Sequence, residues 1–212
     1  MQKLSFTQEF LLCSLTKRGG FSNPLYLILG GIAELLNSGH IQRAEKDRLI
    51  SAKPWDDGPL YLKLIYDKIV TSKKPLTAVQ HIDTFNNKLT EELVNAFKVS
   101  LLESKCADEI PYNKPKKKIR IKPRPDALKE IVNNIRSEML SDKEISADTI
   151  LLVTLLDASG KIGSYFSRFE KSDLKKRLKV VRSSEHGALI REVLTHYNDE
   201  AVIITTLITA PK

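Results

Sequence analysis

The chain has 212 residues, of which 42% are hydrophobic and 28% charged, enough apolar material for a packed core and outside the compositions of disordered chains. Its 34 Lys and Arg outnumber 26 Asp and Glu, and the net charge of +8 points to anionic partners: acidic lipid headgroups, nucleic acid or an acidic protein face. Cys13 and Cys106 have no metal-type or redox-type spacing and fall in apolar patterns, so two reduced, buried thiols in a cytoplasmic protein are expected.

The first ten residues lack the basic start and apolar block of a signal peptide. The longest nearly apolar stretch, residues 24–36, is too short to span a bilayer, so any contact with membrane is expected to be peripheral. Thr7 is the expected N-cap of a first helix carrying Phe10, Leu11, Leu12 and Leu15, and Lys17, Arg18, Gly19 and Gly20 are expected to stop it. Pro24 suits the first turn of a second helix running to Leu36, with Gly30 and Gly31 inside it where another helix approaches closely. Gly39 ends that helix. A small hairpin follows, His40–Arg43 facing Asp47–Ile50 across a polar turn, in the manner of winged-helix units.

A third helix is expected from Pro59 through Ile69, a shorter one over 76–85, and an amphipathic one over 89–104. In the last, Leu93, Phe97, Leu101 and Leu102 form the apolar side, and Glu91, Glu92, Asn95 and Lys98 the polar side. Residues 111–125 break the pattern: they hold Lys114, Lys116, Lys117, Lys118, Arg120, Lys122 and Arg124 and no acid. Ile119 and Ile121 alternate with cations, which predicts an exposed extended strand or hairpin arm, and Pro115 and Pro123 bar it from a central position. Helices are then expected over 126–140, over 150–156 with Ser146 or Asp148 as cap, over 171–182 and over 187–197. For the β-branched stretch 201–208 periodicity does not separate buried helix from strand. The reading is a mainly α, single globular multi-helix domain over 1–212 with short β-hairpins, residues 111–125 forming a projecting basic hairpin arm within it.

Catalytic patterns are lacking. His40, His81, His186 and His196 are scattered, with no metal-type spacing, and read as ordinary surface or half-buried histidines. There is no nucleophile elbow, Walker loop or dinucleotide fingerprint, and the neighbouring acids Glu91-Glu92 and Asp56-Asp57 point apart. Neither a metal nor a cofactor is expected, and the protein is not expected to be an enzyme. Trp55 reads as a core plug or an interfacial anchor.

The order of these segments resembles the Golgi phosphoprotein 3 family, including its bacterial members. LSFTQEFLL at 4–12 is similar to the family's opening LT-x-x-E-x-L-L helix, and LGGIAELLNSGHI at 29–41 to its glycine-containing helix and the hairpin after it. DGPL at 57–60 resembles the G-D-P-L-L turn, LLE at 101–103 the L-V-E end of the long helix, and LLVTLLDAS at 151–159 the late apolar helix. The resemblance covers nearly the whole chain. It implies an almost all-helical globule with a projecting β-hairpin where the basic arm lies, and a buried helix at 201–208. Eukaryotic members bind phosphatidylinositol 4-phosphate and recruit membrane cargo as adaptors. They use a tryptophan before the glycine-containing helix and arginines there and on the long helix. This chain departs at those positions: residues 19–24 contain no tryptophan, Ile28 stands near an arginine's place, and residues 91–94 offer no cation.

The leading functional expectation is therefore a cytoplasmic, peripherally membrane-associated adaptor that binds anionic lipid, with a phosphoinositide-like headgroup as one candidate. The expected contacts are Lys116, Lys117, Lys118, Arg120, Lys122 and Arg124, at about 1 kcal/mol for each cation near an anionic leaflet. Protein cargo is a further candidate partner, as is a second copy of the chain paired through the arm. The alternative is a nucleic-acid-binding regulator with winged-helix-like units. It ranks lower because no helix joins a cation run to the residues of a groove reader.

Overall fold

The computed structural model of the protein describes residues 3–111, 119–141 and 144–181, together with residue 195. Within them the chain is mainly helical, with eight α-helices and two small antiparallel sheets. Their buried apolar side chains form one continuous cluster. The expected helix over 187–197 and the stretch 201–208 lie outside the described residues, residue 195 apart, as do His186 and His196.

Helix α1 (Phe6–Ser14) runs through the centre and packs against four other helices. Its cap is Ser5, not Thr7. Ser5 Oγ accepts from the Gln8 amide at 3.3 Å, and Gln8 Oε1 accepts from the Ser5 amide at 2.9 Å, which closes a capping box. Thr7 lies inside the helix, where it meets helix α2 (Pro24–Asn37). A Cβ on Gly30 would stand 2.5 Å from Thr7 Oγ1, and one on Gly31 would collide with the end of Ile65. Both glycines permit the close helix approach that the sequence implied.

Helix α1 also stops earlier than expected. Leu15 is extended, and Thr16–Gly20 close a tight turn of their own: Thr16 N donates to Gly20 O and Gly19 N to Thr16 O, both at 2.9 Å. By contrast Gly39 ends α2 as expected. Its φ of 70° lets the His40 amide reach Leu35 O and its own amide reach Leu36 O, both at 3.0 Å.

Strands β1 (Ile41–Arg43) and β2 (Arg48–Ser51) pair antiparallel, with Gln42 opposite Ile50. A third strand, β3 (Leu76–Thr77), adds to β2, so the expected helix over 76–85 shrinks to α4 (Ala78–Asp83), capped by Thr77. Between them α3 (Leu60–Val70) starts at Pro59 and packs on α2 and on α5 (Asn87–Glu103). Tyr61 of α3 stacks on Phe97 of α5, with ring centroids 3.9 Å apart.

Helix α6 (Pro125–Met139) buries Ile131, Ile135 and Met139 as the spacing predicts. Ser146, the first of the two expected caps, accepts from the Thr149 amide to start α7 (Ala147–Ala158). Every residue from 149 to 156 is buried, as suits a helix apolar all round. The basic helix α8 (Arg168–Val181) starts three residues before its expected position. Ser167 and Glu170 cap it reciprocally, and Leu174 and Leu178 bury its inner face. Its cations engage locally: Lys175 pairs with Asp157 at 3.3 Å and Arg177 donates to the Ser141 carbonyl. No helix among the described residues is long and apolar enough to cross a membrane.

Candidate functional site

The basic arm begins as a true hairpin. Strand β5 (Ile121–Pro123) pairs antiparallel with β4 (Ala107–Glu109), and the Ile110 amide extends the ladder to the Arg120 carbonyl at 2.8 Å. Strand β4 is absent from the sequence reading, and it supplies the acids that the arm's own sequence lacks. Asp108 lies opposite Lys122, and Glu109 opposite Ile121. An opposed charge pair across a sheet contributes about 0.2–1 kcal/mol. Lys116, Lys117 and Lys118 fall outside the described residues.

The arm's root is not an exposed strand, which corrects the sequence reading. Ile121 is completely buried and Ile119 packs against the core, so the apolar half of the alternation faces inward. Lys122 points to solvent, while Arg120 and Arg124 are half-buried. Arg124 leads into α6 and pairs with Asp126 at 3.5 Å. Of the three described cations, Lys122 thus lies on β5, while Arg120 and Arg124 flank it, each in a different environment.

Two features fasten this strand. Gly19, at a φ of 70°, presses on it so closely that a Cβ would stand 2.7 Å from the Ile121 carbonyl oxygen. Lys98, expected on the polar side of α5, is only 7% exposed and donates from Nζ to the Ile119 carbonyl at 2.8 Å. Sequence reasoning missed Lys98, although a signal existed: Val94 and Leu102, one turn before and after it, put it on a partly apolar stripe.

These parts enclose a groove of about 490 Å³. Gly19, Gly20 and Phe21 form one wall, α5 the opposite wall with Asn87, Asn95 and Lys98, and Arg120 closes one side. Glu91 also lines it, so its cations are partly offset. The groove combines two basic side chains and two side-chain amides; the Gly19 and Gly20 amides are spent on Thr16 within their own turn. It lies between the 19–24 loop and the long helix.

The two described histidines, His40 and His81, are buried. His81 is 1% exposed, and neither ring nitrogen has a hydrogen-bond partner. His40 bridges Ser38 Oγ at 2.7 Å and Asp56 Oδ1 at 3.1 Å, and it stacks on Trp55 with centroids 5.0 Å apart. Ser38, His40 and Asp56 thereby form a hydrogen-bonded series of nucleophile-and-base type. The amides of Ser38, Gly39 and His40, however, all donate to carbonyls of α2, so none is turned toward a developing oxyanion. Trp55 packs half-buried against His40 and Tyr66, covering the core's edge. Both cysteines are buried free thiols, as expected. Among the described residues no group of three or more His, Cys, Asp and Glu could hold a metal ion.

No protein-family model matches this chain, and no curated protein matches its sequence.

Proposed function

We propose that the protein is a peripheral membrane adaptor of the Golgi phosphoprotein 3 type, without catalytic activity, that meets anionic lipid with its basic hairpin. The observation that carries this reading is the fastening of β5. A cation-bearing strand is locked to the core by Ile121, Gly19 and Lys98, so Lys122 projects outward while Arg120 borders a groove. In this reading Lys116, Lys117, Lys118 and Lys122 approach the leaflet surface, Arg124 sets the strand's exit into α6, and the groove receives a single headgroup. A rigidly held cation loses less conformational entropy on binding than one on a free loop. The order of sequence segments supports the same family, and an edge strand of this kind also suits pairing with a second copy.

The test is co-sedimentation with neutral and anionic liposomes at low and moderate salt, with duplex DNA in a parallel tube. Binding only to anionic liposomes, weakened by salt and by joint replacement of Lys116, Lys117, Lys118 and Lys122 with Gln, is the expected outcome. Equal sedimentation of wild type and the quadruple variant refutes the role of the arm. Binding to DNA alone replaces the membrane reading with the nucleic-acid one.

A further inference from the structure

A second and separate cleft, of about 500 Å³, opens at the other end of α5, between that helix and the first turns of α1 and α3. We propose that this cleft binds a small organic cation of the alkylguanidinium or alkylammonium class. Its polar lining consists largely of oxygen acceptors whose protons are committed elsewhere. Ser100 Oγ donates to the Phe97 carbonyl at 2.8 Å and accepts from Gln8 Nε2 at 2.9 Å, and Ser104 Oγ donates to the Leu101 carbonyl at 3.1 Å, so one lone pair of Ser100 and those of Ser104 have no donor among the described residues. Tyr61 donates its phenol proton to Glu34 Oε2 at a long 3.5 Å. The Glu34 carboxylate accepts from the Thr7 amide at 3.2 Å and is held by Ser5 as well, while its contact with Tyr61 is long.

Three further features favour positive charge. Glu103 stands at the exposed rim, and the C-terminal end of α5, with its partial negative charge, faces the same space. The first-turn donors of α1, which would favour an anion, are already occupied by Ser5 and Glu34. Lys3 is the opposing cation at the mouth. Leu4, Pro59 and Leu62 supply an apolar wall for a short alkyl stem. A planar guanidinium would present several N–H donors to the Glu34 carboxylate and to the spare serine lone pairs, and would supply the Coulombic partner that a half-buried carboxylate needs.

Burial raises the Glu34 carboxyl above its ordinary range, with Asp148 adding to the rise and hydrogen bonds from Thr7 and Ser5 opposing it. Cation binding favours the ionised form, so it releases protons from Glu34 near the pH at which the empty site titrates. The proton release distinguishes a site built around Glu34 from loose attraction to the rim.

The test is calorimetric titration of the full chain with butylguanidinium and with butylurea, its uncharged analogue of the same shape, in buffers of different ionisation enthalpy. Saturable binding of the cation alone, with an apparent enthalpy that depends on the buffer, is expected. Glu34→Gln keeps an acceptor for the Thr7 amide and should weaken binding about tenfold or more. Ser100→Leu fills the cleft without touching Glu34 and should weaken it similarly, which covers the case in which Glu34→Gln does not fold. Absence of binding, equal binding of butylurea, or unchanged affinity in both variants overturns the proposal. None of these outcomes bears on liposome binding through the hairpin.

Discussion

His81 offers a sharp test of how the core is built. The ring is 1% exposed, its nitrogens have no partners, and burial pushes its pKa from the ordinary 6.5 down to about 4, with Lys68 adding to the fall. The unfolded chain therefore takes up this proton near pH 6.5, while the folded protein resists it until about pH 4. Across that window the unfolded state binds more protons, so the contribution of His81 to stability falls as pH falls. At about 1.4 kcal/mol for each pH unit, the loss reaches about 3 kcal/mol at its full extent.

The informative comparison is His81→Leu against wild type, because their difference removes the contributions of the other titrating groups. Those contributions matter: Glu9, raised to about 7 by burial and by Asp148, acts in the opposite sense and lowers stability as pH rises from 4.5. Near neutral pH the leucine protein should equal or exceed wild type by about 1 kcal/mol, since it removes unpartnered polar atoms from the core. By about pH 4 its advantage should widen by about 3 kcal/mol. Urea unfolding at several pH values, followed by the fluorescence of Trp55, the chain's single tryptophan, and by circular dichroism, reads this directly. Parallel stability curves with a constant gap would refute the argument, because they require a histidine that is protonated equally in both states.

The companion substitution Glu9→Gln should stabilise the protein at pH 8 more than at pH 5, by on the order of 2 kcal/mol, in the same unfolding assay. Gly30→Ala should cost about 1–3 kcal/mol despite its better helix propensity, because the new methyl meets three Thr7 atoms within 3.2 Å. Adding Thr7→Ala should recover part of that loss, as a double-mutant cycle in thermal unfolding will report. Lys98→Met removes the bond to the Ile119 carbonyl, and should speed hydrogen exchange of the Ile110 and Arg124 amides about tenfold while leaving α7 unchanged.

Local signals explain which parts of the fold were legible in the sequence. Pro24 and Gly39 bracket α2, Ser146 starts α7, and the unbroken apolar run of α7 declares its burial, because each depends on residues within a turn or two. Strands β3 and β4 were illegible for the opposite reason. They are two and three residues long, too short to show a period, and the partners of β4 lie more than ten residues away. The first cap was misplaced because Thr7 and Ser5 are both favoured cap types, serine the better of the two. The choice between them is made by Gln8, which reaches back to Ser5, and by Gly30, which needs Thr7 inside the helix.

The hairpin shows how a correct local pattern can carry the wrong burial. Ile119 and Ile121 alternate with Arg120 and Lys122, and such alternation marks a strand with one face buried. Proline and charge suggested exposure instead, yet Pro123 sits at the strand's end, opposite Ala107, where it interrupts little. The buried face is what gives the arm mechanical continuity with the core. Strand β5 contacts α1, and the Ile119 carbonyl beside it accepts from Lys98 on α5; the same two helices border the proposed cleft. Ligands at the two proposed sites would therefore border the same pair of helices. Coupling between the sites requires each ligand to favour one arrangement of that pair, and by reciprocity a cation that tightens liposome binding must itself bind more tightly to liposome-bound protein.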